Sequence, residues 1–345
     1  MVYVIWLIIS LLLLNTVLLL YLLVRKQLQQ HRDEEKEQIV KELSPVIENV
    51  SRERIEGIPS TFKRTSLFFE VLEETVGMYL QLFGDEKMKA ILNNVTQVEL
   101  TDVYKKRLKS NSWSERMNVL YCVEDFEMTS LQDDVWSYYH SGRSSIEEKH
   151  QMIRVLSKLN DQRLLEQIKH ESDWPYFLLK ECFRRFDFST VETIIRNELD
   201  SLSEEVQVAI LDVAIERKDP SLTFFFDQLL FSESREIRIR ALKAIYEYEQ
   251  TTKEEELVTF HQSNFWVERM LFARVAGQLK RKRYSTPLVT LLSDESWWVR
   301  QSAAEALMNF EDGLFILEHV YETNEDPFAR DTANQWLGEA VRLTK

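Results

Sequence analysis

The chain has 345 residues, of which 44% are hydrophobic and 29% charged, and its formal net charge is −14. That acidity excludes nucleic acid, or an anionic membrane surface, as the partner of the whole body. Seven glycines and six prolines are far fewer than ordinary usage, so tight turns and strands are scarce and the chain reads as all-α.

Residues Val2–Val24 carry no charge over 23 positions, enough to cross a bilayer as a helix. Trp6 and Tyr21 suit the two interfacial belts. A basic start and a small-x-small cleavage site are both missing, so the segment 1–24 is expected to be an uncleaved transmembrane anchor. Arg25, Lys26 and Arg32 follow it. The positive-inside rule then places the N-terminus outside and residues 25–345 in the cytoplasm, single-pass. Asn15, beside Thr16, sits near the middle of the span. It is either a tolerated polar residue or a contact to another transmembrane helix, through self-association or a membrane-embedded partner.

Residues 25–58 are dense in mixed charge and read as a juxtamembrane helical spacer. Ile39, Leu43, Val46 and Val50 follow 4-3-4 spacing, a short pairing seam with Pro45 inside it. Gly57 and Pro59 end this stretch. Residues 59–100 are helical and more apolar, as an N-terminal cap would be, and 101–345 form the body.

The body repeats. Anchor positions Glu115, Glu148, Pro175, Val206, Ile237, Val267, Val299 and Ala329 stand 33, 27, 31, 31, 30, 32 and 30 residues apart, the period of stacked helical hairpins. Four residues after each anchor comes Val119, Met152, Leu179, Ile210, Ala241, Leu271, Ala303 or Ala333. Eight after it comes Val123, Leu156, Phe183, Ala214, Ile245, Val275, Leu307 or Leu337. All are apolar, as the buried face of a second helix requires. A looser column holds Arg116, Lys149, Tyr176, Gln207, Arg238, Glu268, Arg300 and Arg330. Cys122 and Cys182 share the column of Ala306, a small buried place. They form no metal spacing and no disulfide framework, which fits a reducing compartment.

The stretch from Asp294 through Val299, Arg300, Ala303, Ala304, Ala306 and Leu307 resembles one unit of the HEAT-repeat family. Its pattern is the short Asp-x4-Val-Arg-x2-Ala-Ala-x-Ala-Leu variant found in lyase-like HEAT repeats. The resemblance is sharp over 235–342 and fades toward 100. It implies a right-handed α-solenoid of helical hairpins whose surface binds proteins, and with a single-pass anchor it looks bacterial.

Three features could carry function. Trp113, Trp174, Trp266, Trp297 and Trp298 all lie one or two residues before an anchor, and Phe265 shares that place. They form either an exposed ridge that binds a protein partner or apolar staples folding back onto the second helix. Lys280, Arg281, Lys282 and Arg283 either cap a helix C-terminus or dock on an acidic protein, lipid headgroup or phosphate. Asn15 is the third.

The six histidines show no ligand pairing, no glycine-rich loop cradles a phosphate, and no cofactor or metal is expected. Some relatives of the short HEAT variant are lyase subunits that assist pigment attachment, and nothing here beyond the repeat matches them. The expected function is a non-enzymatic, membrane-tethered cytoplasmic scaffold for membrane-associated proteins, such as a glycosyltransferase of the cell envelope. An accessory lyase-type protein and a lipid- or ligand-sensing module around Lys280–Arg283 stand as alternatives.

Overall fold

The computed structural model describes residues 2–52, 57–82, 85–171 and 173–343. Among them are 18 α-helices and no strand. The chain divides into two units, Met1–Asp161 and Gln162–Lys345.

The first unit contains α1 (Val2–Ser51), α2 (Ser66–Leu82), α3 (Glu86–Arg107), α4 (Trp113–Asp125), α5 (Gln132–Tyr139) and α6 (Ile146–Lys158). Helix α1 runs unbroken for 50 residues, about 75 Å. Every side chain from Ile9 to Glu35 is exposed, whereas Leu43, Ile47 and Val50 are buried. The buried part packs on α2 and α3, each side chain contributing about 1.5–3 kcal/mol. Lys36 reaches Glu74 at 2.6 Å, and the Tyr79 hydroxyl donates to the Ser44 carbonyl at 3.5 Å. Partner numbers rise together, so α1 and α2 run parallel. The 4-3-4 seam is therefore filled from within the chain, and Pro45 lies on the solvent side, where its missing N–H is tolerated. Only the first part of the expected spacer stands exposed; its residues 53–56 lie outside the described residues.

Arg64 organises the link into α2. It donates to the carbonyls of Ile58, Pro59 and Phe62 and grips Glu99 of α3 through two bonds of 3.0 and 2.8 Å. In α2, Phe68, Val71, Leu72 and Val76 are buried, as an apolar cap requires. Helix α3 runs through residue 100 without a break, because the apolar stripe that holds Leu92, Val95 and Leu100 continues to Tyr104.

The second unit contains α7 (Gln162–His170), α8 (Tyr176–Arg185), α9 (Phe188–Asn197), α10 (Glu204–Arg217), α11 (Thr223–Leu229), α12 (Arg235–Tyr248), α13 (Glu254–Val258), α14 (Trp266–Leu279), α15 (Ser285–Leu291), α16 (Trp297–Met308), α17 (Gly313–Thr323) and α18 (Pro327–Leu343). Even-numbered helices are the second members of the hairpins and pack on one another in series, α8 on α10, α10 on α12, α12 on α14, α14 on α16. Fifteen of the sixteen apolar repeat positions are buried, and Leu337 is half-buried. Within each unit the periodicity is thus the buried face of the second helices.

Two glycines set how closely these layers approach. A Cβ on Gly277 would stand 2.7 Å from Ala306 Cα, and one on Gly313 would stand 1.8 Å from the Leu307 carbonyl oxygen. Helices α10, α12 and α14 each end on a left-handed residue, Lys218, Glu249 and Lys280, which closes the last turn.

Candidate protein-interaction surface

The second helix of each hairpin begins at Trp113, Ile146, Tyr176, Glu204, Arg235, Trp266, Trp297 or Pro327, at intervals of 28 to 33 residues. Side chains in this first turn divide into an inner and an outer set.

The inner set comes from the fourth residue of the helix, Arg116, Lys149, Leu179, Gln207, Arg238, Arg269, Arg300 or Arg330, of which Lys149 and Arg330 are exposed and the other six buried or half-buried. Four of these arginines reach back over their own turn, Arg116 to the Ser110 carbonyl, Arg238 to Ser232, Arg269 to Ser263 and Arg300 to Asp294, all between 2.7 and 2.9 Å. Gln207 does the same to the Leu202 carbonyl at 2.9 Å. Three of them also hold the next hairpin. Arg116 meets Glu148 at 2.7 Å, Arg238 meets Glu268 at 2.8 Å, and Arg269 grips Asp294 through bonds of 2.6 and 2.9 Å. Burial pushes the Glu148 carboxyl up, but bonds from Arg116, the Ser145 N–H and Tyr138 hold it below the usual carboxylate range. These arginines clamp the stack.

This geometry corrects the sequence register in two places. The sequence columns put Glu268 where the arginine belongs, but Arg269 does the clamping and Glu268 accepts from Arg238. Likewise Pro175 is the residue before α8, so Leu179 rather than Tyr176 takes the fourth position. The turn before α14 is of the usual length, since Arg269 bonds a carbonyl six residues back as Arg238 and Arg300 do. The first shift arises because Leu271 and Phe272, like Val275 and Ala276, are both buried.

The outer set opens the helices. Trp113 is the first residue of α4, exposed, with its indole N–H 3.3 Å from the Ser145 hydroxyl. Trp266 is the first residue of α14 and follows Phe265, over whose ring Arg235 stacks at 5.2 Å. Trp297 and Trp298 open α16 and meet edge-to-face at 4.8 Å. Their exposures are 43% for Trp266, 49% for Trp297 and 57% for Trp298. Phe328, the second residue of α18, is 59% exposed and rests on the Arg300 guanidinium at 4.8 Å. Sequence reasoning missed Phe328, although it stands one residue before an anchor just as Trp298 does.

Neighbouring helices α14, α16 and α18 therefore carry Phe265, Trp266, Trp297, Trp298 and Phe328 along one edge. The edge is interrupted at α12 and α10, which begin with Arg235 and Glu204. Trp174, half-buried in the turn before α8, stands beyond that interruption, and Trp113 belongs to the other unit. Exposed Glu295, Glu325 and Arg330 stand beside these rings.

The basic run is spent partly on its own repeat. Lys280 is the left-handed residue ending α14, and Arg281 pairs with Glu254 at 2.8 Å. Arg283 approaches Glu255 at 3.7 Å. Lys280 and Lys282 line a hollow of about 470 Å³ with Asn309, Phe310, Glu311 and Asp312. Asn15 lies exposed on α1. Cys182 is buried, and burial foremost pushes the Cys122 thiol up to about 11, so Cys122 stays protonated at neutral pH. Among the described residues no three His, Cys, Asp or Glu side chains group so as to hold a metal ion.

Residues 254–338, the stretch holding α13 to α18 and this aromatic edge, match the family described as HEAT repeats. This segment belongs to the HEAT-repeat family. HEAT repeats are helical modules that generally mediate contacts between proteins, using the extended surface that stacked hairpins create. Over a longer span the chain is similar to human deoxyhypusine hydroxylase in complex with glycerol. Identity there is 15%, over 73% of this chain and 99% of that one, with a TM-score of 0.29. It is also similar to an engineered protein at 14% identity, over 89% of this chain and 98% of that one, with a TM-score of 0.35. No curated protein matches the chain.

Proposed function

We propose that the chain is a non-enzymatic scaffold, a right-handed solenoid held at the cytoplasmic face of a membrane by α1, that binds membrane-associated proteins along its HEAT aromatic edge. The observation that carries this reading is the exposure of Trp266, Trp297, Trp298 and Phe328 at the starts of three successive second helices. Large apolar rings held at element starts by a clamped stack are pre-organised anchors for a partner. The anchor rests on residues 2–24, uncharged and followed by Arg25 and Lys26, with every side chain from Ile9 onward exposed in that span. Orientation with the N-terminus outside follows from that charge bias. A cell-envelope complex is the client class such an anchor favours, since confinement to the membrane raises local concentration. The lipid-sensing alternative loses support from the pairing of Arg281 and Arg283 with Glu254 and Glu255.

The test places a photocrosslinking residue at Trp266, Trp298 or Phe328 in cells, with Phe224 and Phe231 on the first-helix side as controls. One adduct formed from the three edge positions and absent from the controls supports the reading. Equal labelling at all five, or at the controls alone, refutes it.

A further inference from the structure

We propose that α1 pairs with α1 of a second copy, in parallel, through the stripe Leu11, Asn15, Leu18 and Leu22. The proposal rests on the membrane-anchor reading above. These four residues stand at 4-3-4 spacing and all are exposed. The same spacing continues down the helix to Lys36, Ile39, Leu43, Val46 and Val50, where α2 and α3 cover it. One stripe of α1 is thus filled in its lower part and open above.

The polar groups in the span decide what fills the upper part. Thr16 satisfies its hydroxyl on the Leu12 carbonyl at 2.8 Å, but the Asn15 amide makes no side-chain hydrogen bond among the described residues. In hydrocarbon an amide without a partner is costly, and an apolar helix laid against it supplies none. Asparagine carries both donor and acceptor, so two copies related by a twofold axis close a reciprocal pair between their Asn15 side chains. Arg25 is next on the stripe. Helices that cross at Asn15 by about 20° have separated by several ångströms at that level, about 15 Å further along. Like charges are then kept apart, and α2 is cleared where Arg32 meets Glu70. Pairing also presents two aromatic edges to one client complex.

The full-length chain, with Cys122 and Cys182 replaced by alanine, is given a single cysteine at Leu11, Leu13, Leu18, Leu20 or Leu22 and oxidised in native membranes. Dimer is expected from Leu11→Cys, Leu18→Cys and Leu22→Cys, and about tenfold less from the off-stripe Leu13→Cys and Leu20→Cys. Adding Asn15→Leu lowers the dimer by about tenfold, while Asn15→Gln retains it. Uniform or absent crosslinking from a chain that resists carbonate extraction overturns the pairing and leaves the anchor standing. An Asn15-dependent adduct with a different protein does the same and assigns the stripe to a heterologous helix. Release of the chain by carbonate overturns the anchor and the pairing together.

Discussion

Within the first turn of each second helix, the fourth residue and the first behave as two different regions of the molecule. The fourth-residue arginines Arg116, Arg238, Arg269 and Arg300 are buried or half-buried and bond back over their own turn, three of them also reaching the next hairpin; the first-residue aromatics in α14 and α16 face solvent and bond to little. Three residues along the chain separate a stabilising role from one available for recognition. Arg300 joins the two, clamping the Asp294 carbonyl while its guanidinium supports Phe328. Stability and binding should therefore respond to different substitutions in the same turn.

The largest effect is expected from the inner set. Arg269→Met leaves the Asp294 carboxylate, 7% exposed, without its bidentate partner. Thermal or urea unfolding should show a loss of about 3–5 kcal/mol; a loss near zero would mean the clamp is dispensable. Next comes Gly313→Ala, whose Cβ would meet the Leu307 carbonyl oxygen at 1.8 Å and force α17 to move. We expect about 3 kcal/mol from such overpacking, read by the same unfolding measurement. Gly277→Ala should cost somewhat less, because its methyl would stand 2.7 Å from Ala306 Cα, a milder overlap that α14 and α16 relieve by moving apart.

Acid sharpens the comparison further. Hydrogen bonds from Arg184, then Lys180, hold the Glu216 carboxyl down at about 2, against an ordinary 4.5. Its contribution is present above pH 4.5 and is lost as the pH falls from 4.5 toward 2. Glu216 is 42% exposed, so the effect is below about 1 kcal/mol. Glu216→Gln should remove that much acid sensitivity in a pH series of unfolding curves. At the small end stands Trp298→Ala, expected to change stability by less than about 0.5 kcal/mol while sharply weakening client capture. A loss of several kcal/mol would show that the ring is packing, not surface.

The sequence made the repeat legible because burial leaves little choice at two positions of every second helix. It did not fix the register to one residue, and α14 shows why. Leu271 and Phe272 are both buried, as are Val275 and Ala276, so a column of apolar residues fits equally well one step earlier or later. Only the Arg269 hydrogen bonds decide the step. The same single step separates a staple from an exposed ring, which is why two readings of the tryptophans stood together on the sequence. In α1 the apolar spacing of Ile39, Leu43, Val46 and Val50 was plain, but no local pattern names the partner of a stripe, and here α2 and α3 supply it.

The most direct test of the scaffold account is quantitative recovery of clients after in-cell crosslinking, comparing wild type with Trp266→Ala/Trp297→Ala/Trp298→Ala in the full-length chain. Circular dichroism and unfolding of the purified proteins would establish that both fold alike. The account predicts an equally stable variant, still in the membrane, that loses a specific membrane-associated protein by tenfold or more. Unchanged recovery of every partner by a folded variant would contradict it and remove the aromatic edge from the function of this protein.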